Sequence, residues 1–184
     1  MEQENQPKTE PDSPAMVHEL YRLVKERISN ALTVFNCNPC EETIYGVMDE
    51  ILFGYMFNMT CFVTAYPDLK HRGFMLKSSY CKERRGDAFM LYTDVSKAKE
   101  SGEITLIVTY RYVIRKALSC KDIVGFYINP SQDGPRLLMT RQNMEAIVRT
   151  GDEQISGYDD GFRESLEKYP EPLPGGIIRF SGNK

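Results

Sequence analysis

The apolar residues of this chain change their spacing at Thr60, and that change limits what the chain can fold into. Before it, Val17, Leu20, Tyr21, Val24, Ile28, Ala31 and Leu32 recur at steps of three and four residues, the signature of one buried stripe on a helix. Ser13 followed by Pro14 supplies an N-cap and a proline at the first helical position. A second stripe, Ile44, Val47, Met48, Ile51, Leu52 and Tyr55, follows Asn38, Pro39 and Glu41, which read as N-cap, first position and third position of a capping box. From Thr60 onward β-branched and aromatic residues take over. Residues 60–66, 73–82 and 88–93 predict three strands of an antiparallel meander, with the charged, glycine-containing residues 83–87 closing a hairpin. Two helices ahead of a run of strands predict an α+β fold: a mixed, mostly antiparallel β-sheet with short helices packed on it.

The remaining segments extend that reading. Asp94 or Ser96 caps a short polar helix that runs to about Gly102, and residues 104–109 form a strand. Residues 112–118 are a short helix ending near Cys120. Residues 123–128 are apolar almost throughout, as in a central strand covered on both faces. A turn over 129–135 leads to a return strand at 136–139, and Thr140 caps a helix through Arg149. Residues 1–12 are too polar to offset the entropy of ordering and predict a disordered arm. Residues 13–150 then form the domain, and the Pro- and Gly-rich residues 151–184 a tail that lies on it or stays flexible.

Charge and cysteine usage narrow the function classes. The formal charge is −3, which leaves no excess of Lys and Arg for a phosphate backbone, so no nucleic-acid partner is expected. No apolar run approaches the ~20 residues that span a bilayer, so no membrane role is expected either. The N-terminal residues lack the apolar core of a signal peptide. Five cysteines without secretory context predict free thiols in a reducing compartment, the cytoplasm.

Few residues suggest chemistry. Cys37 and Cys40 form a Cys-x-x-Cys pair ahead of a helix, where the helix dipole stabilises a thiolate. If a strand led into the motif, the order would match a thiol-disulfide oxidoreductase with Cys37 as nucleophile; helix capping explains the same residues. No second Cys-x-x-Cys or His pair completes a zinc site, and no phosphate-binding loop is present. His18 and His71 have no adjacent nucleophile in sequence. No catalytic residue, cofactor or metal is predicted.

Residues 87–96 (DAFMLYTDVS), 124–130 (VGFYINP) and 136–140 (RLLMT) resemble the SseB N-terminal domain family, over about residues 16–149. The resemblance implies a bacterial, cytoplasmic α+β domain acting as a binding or accessory module, without established catalytic residues. Thr93, Asp94, Asn129 and Pro130 match its signatures and become candidate binding positions. Their own chemistry also suits helix caps and turns. The C-terminal domain common in that family has no counterpart in the sequence given. The leading expectation is a non-enzymatic interaction module whose sheet face, or the groove beside Asn129, receives a protein partner; a homodimer stays open. The alternatives are the oxidoreductase and a small-ligand binder with a pocket lined by Tyr, Phe and Met.

Overall fold

A computed structural model of the chain describes residues 14–70, 73–101, 103–130, 136–158 and 160–168. The expected arm over 1–12, residues 131–135 of the turn over 129–135, His71 and the segment after Lys168 lie outside them. The fold is α+β. Helices α1 (Pro14–Cys37) and α2 (Glu41–Met56) precede strands β1 (Thr60–Asp68), β2 (Gly73–Leu76), β3 (Ser78–Cys81) and β4 (Gly86–Tyr92). Then come α3 (Val95–Glu100), β5 (Ile104–Thr109), α4 (Tyr110–Ser119), β6 (Ile123–Ile128), β7 (Leu137–Thr140), α5 (Arg141–Ser156) and α6 (Asp160–Lys168). No described helix is long and apolar enough to cross a membrane.

The stripe on α1 buries Val17, Tyr21, Val24, Ile28 and Leu32, and Phe35 extends it by one more step. α2 starts two residues later than its capping signal predicts, with Cys40 rather than Asn38 at the N-cap. The cause is Thr43: its hydroxyl accepts the Cys40 amide (3.1 Å) and donates to the Asn38 carbonyl (2.8 Å), so a third-position threonine, not Glu41, satisfies the helix start. Gly46 sits mid-helix in α2, and a Cβ built there meets nothing within 4 Å. Gly46→Ala is therefore expected to raise the unfolding free energy by about 0.5–1 kcal/mol through reduced chain entropy, measured by urea denaturation.

The described strands form a seven-stranded mixed sheet in which only β4 and β6 run parallel. The expected meander is replaced by a fork. β1 and β4 pair directly at Phe62–Tyr92 and Val63–Leu91, then part. Beyond that point β2 descends along β1 from Asp68–Gly73 to Ala65–Leu76, and β3 climbs along β4 from Ser78–Phe89 to Cys81–Gly86. The single strand predicted over 73–82 is thus two short strands that reverse at Lys77, whose amide bonds to the Thr64 carbonyl at 2.8 Å in the crotch. β5 pairs the outer side of β1, and β6 lies between β4 and β7.

Alternation along the strands separates two faces. Cys61, Val63, Leu91, Phe126, Ile128, Leu137 and Met139 point into the main core with α1, α2, α4 and α5. On the other face, among the described residues, α3 packs and sets Ala98 against Phe62 and Tyr92. The rest of that face, around Met90 and Tyr127, has no helix over it among the described residues.

α5 does not stop at Arg149 but continues to Ser156. Gly151 is buried against Tyr55, where an added Cβ would stand 2.6 Å from the ring carbon Cδ1. Next to it, the Tyr55 hydroxyl donates to Asp152 Oδ1 (2.8 Å), while Arg115 donates Nε to that hydroxyl (2.9 Å) and Nη2 to Asp152 Oδ2 (2.6 Å). Gly151, beyond the expected helix end at Arg149, is the place where α5 approaches α2 closely. α6 follows, with Phe162 edge-on to Phe57 at 6.2 Å.

Candidate functional site

The ends of β4 and β6 bring the signature positions together. Asn129 adopts a left-handed conformation (φ 43°), which asparagine tolerates better than most residues, and its amide bonds to the Leu91 carbonyl at 2.8 Å. Its side chain then closes a reciprocal pair: Oδ1 accepts from the Thr93 amide and Nδ2 donates to Thr93 Oγ1, both at 2.9 Å. Asp94 faces away as the N-cap of α3, accepting from the Ser96 amide at 2.7 Å and from the Ser96 hydroxyl. Those Ser96 bonds hold its carboxyl below the usual range. Asp94 is thus the cap its residue type suggests and Thr93 a tie to Asn129, whereas Asn129 and Pro130 line a groove.

The groove has a volume of about 780 Å³ and follows from the fork. Met90, Tyr92 and Tyr127 line it on the open sheet face, Thr64 and Ser79 come from the two arms, and Lys77 comes from the crotch. α3 and the turn after it add Lys97, Glu100 and Glu103, and Arg136 stands where β7 begins. Tyr127 is pushed up to about 12, first by a hydrogen bond with the Cys81 thiol and then by burial. Burial likewise raises Tyr92. Both phenols therefore stay neutral at ordinary pH.

Two features stand out within the groove. Lys77 is paired with Glu103, and Lys97 with Glu100 at 3.3 Å, so each lysine is matched to its own carboxylate. Thr64 is only 1% exposed, and its hydroxyl finds no hydrogen-bond partner among the described residues. A buried hydroxyl without a partner costs about 1–3 kcal/mol.

Cys37 and Cys40 are both free. Cys37 ends α1, and Cys40 caps the start of α2 with the Asn38 side-chain Nδ2 3.9 Å from its sulfur. A helix, not a strand, leads into the motif, so the strand–thiol–helix order that the oxidoreductase alternative needs is not formed. Cys61 and Cys81 are buried, and no three described His, Cys, Asp or Glu residues are placed to hold a metal ion. His18 is exposed on α1.

Tyr127 and Arg136 lie inside the signature segments and Thr64 and Lys77 outside any motif, and sequence reasoning singled out none of the four as a site residue. No local signal could have assembled them, because they meet only through strand pairing. No protein-family model, curated protein or solved structure matches the chain.

Proposed function

We propose that this chain is a non-enzymatic binding module of the SseB-like type, acting in a reducing cytoplasm, with the groove beside Asn129 as its recognition surface. Between the protein partner expected at this groove and the small ligand expected in a pocket lined by Tyr, Phe and Met, the small organic ligand is the better supported here. The observation that carries this reading is a cavity of about 780 Å³ lined by Met90, Tyr92 and Tyr127 together with Thr64 and Ser79. Binding pockets for small molecules span roughly 300–1,000 Å³ and combine an apolar lining with a few placed polar groups. Met90, Tyr92 and Tyr127 provide the first, and Thr64 and Ser79 the second.

Thr64→Val and Met90→Ala separate stability from binding. The valine keeps the shape and removes the unsatisfied group, so the variant is expected to gain about 1 kcal/mol in urea denaturation. In NMR titrations with a set of aromatic acids, amides and alcohols, probes should shift the amides of Thr64, Met90 and Tyr127 in the wild type. Met90→Ala, which removes apolar lining, should bind the same probes about fivefold more weakly. Probes that collect elsewhere on the surface, or that bind Met90→Ala unchanged, would refute the reading.

A further inference from the structure

We infer that the outer edge of β5 is a strand-docking site whose occupant is a segment of this same chain, residues 177–180 (IIRF), added antiparallel to β5. β5 pairs with β1 without a break from Ile104 to Thr109, and with no other described strand. The Tyr110 amide bonds to the Met59 carbonyl at 2.9 Å, and antiparallel pairs alternate, so Val108 and Leu106 turn their amides inward to β1. Thr105, Ile107 and Thr109 turn theirs outward, where no described residue accepts from them. Edge strands are commonly blunted by charge, proline or a bulge, and residues 104–109 (ITLIVT) carry none of these. Both layers also stay open at this rim: Leu106 and Val108 are half-buried against the main core, and Ile107 against the cluster under α3.

Of the chain outside the described residues, only 169–184 holds a run of strand formers, Ile177, Ile178 and Phe180. Pro170, Pro172 and Pro174 cannot donate to a ladder, so pairing starts after them. Alternation then sets Ile178 and Phe180 on one face, continuing the layer of Leu106 and Val108, and Ile177 and Arg179 on the face of Ile107. Reach and direction follow from α6. Phe162 packs on Phe57, three residues before Thr60, and Thr60 is the partner of Thr109. Residues 169–176 span about 26 Å when extended, against about 9 Å of α6 beyond Phe162 and about 10 Å from Phe57 to Thr60. A segment that arrives at the Thr109 end runs toward Ile104, antiparallel to β5.

Amide hydrogen exchange followed by NMR on the full chain tests this. In the wild type the outward amides of Thr105 and Ile107 are expected to exchange as slowly as the inward ones of Leu106 and Val108. Arg179→Pro removes an amide that faces β5 in this pairing, and Phe180→Asp sets a charge at the core rim. Each should speed exchange at Thr105 and Ile107 about tenfold, the worth of one or two hydrogen bonds, with Leu106 and Val108 unchanged. Nuclear Overhauser contacts from the Phe180 ring to the Leu106 or Val108 methyls are expected as well, and they need no variant. Fast exchange at Thr105 and Ile107 in the wild type, or absence of those ring contacts, overturns the inference. Protection that both variants leave intact assigns the edge to another segment, and protection lost on dilution assigns it to a second copy; either result overturns the occupant named here.

Discussion

Gly125→Ala is expected to lower the unfolding free energy by about 3 kcal/mol, at the upper end of what overpacking costs. Gly125 lies in β6 between Ala88 of β4 and Thr140 of β7. A Cβ there would stand 2.2 Å from the Met139 carbonyl oxygen and 3.1 Å from its carbon. The obstacle is backbone, which has no rotamer to change; the carbonyl moves only if the β6–β7 ladder opens. The register also slips on the other side of the strand, since Asp87 pairs with Ile123 while Ala88 pairs with Gly125, leaving Val124 as a bulge. Both edges of β6 are crowded at one residue. In thermal unfolding the loss corresponds to a midpoint lower by roughly 10 °C for a domain of this size. Gly46→Ala, at the open glycine of α2, is the matched control and should move the other way. A Gly125→Ala protein within about 0.5 kcal/mol of wild type would mean that β6 and β7 do not approach this closely.

The second large effect is alkaline unfolding. Tyr55 is pushed up to about 12 by burial and by its bond to Asp152, with Arg115 opposing the shift. Tyr127 is pushed up to about 12 by the Cys81 thiol and by burial. Complete burial raises Tyr110 well above 10, and raises the Cys61 thiol as well. In every case the folded state holds its proton more tightly than the unfolded chain does. The stabilisation is therefore complete below about pH 8, where unfolded Cys and Tyr are still protonated, and is lost as pH rises through about 12. Each buried tyrosine gives up about 1.4 kcal/mol per pH unit across that window. Solvent screening reduces the contributions of Tyr55 and Tyr127, so with Tyr110 added the loss by about pH 12 is on the order of a few kcal/mol, a sizeable share of the stability of a small domain.

Urea denaturation at pH 8 and pH 11, with tyrosinate absorbance followed in parallel, tests this. The buried tyrosines should ionise only as the protein unfolds, in one cooperative step. Tyr55→Phe should be less stable than wild type at pH 8, because Asp152 and Arg115 lose a partner, yet should lose less between pH 8 and pH 11. Ionisation of all the tyrosines near pH 10 with the fold intact would show that these side chains are not buried as described.

The groove explains why this chain is hard to read for function. Thr93, Asp94, Asn129 and Pro130 were visible in sequence because caps and turns are local chemistry: a hydroxyl or carboxylate meets an amide two or three residues away. Asp94 capping α3 and Thr140 capping α5 follow directly from that. The reciprocal bonds between Thr93 and Asn129 did not, since they join the ends of two strands that pair only in the folded sheet. Cys37 and Cys40 drew attention for their spacing, but the element before them, a helix rather than a strand, decides what that spacing can do.

The sequence by itself determined the kinds and order of the elements: two amphipathic helices, the change to strands at Thr60, and the strands Ile104–Thr109 and Ile123–Ile128. Periodicity and capping act over a few residues, so each element carries its own signal. Tertiary structure alone decided the fork at Lys77, the continuation of α5 past Gly151 against Tyr55, and the meeting of Thr64, Tyr127 and Arg136 around one cavity. Residues 73–81 suit a strand wherever they lie; which arm each half joins depends on where β1 and β4 separate, and that is set by pairing between segments far apart in the chain.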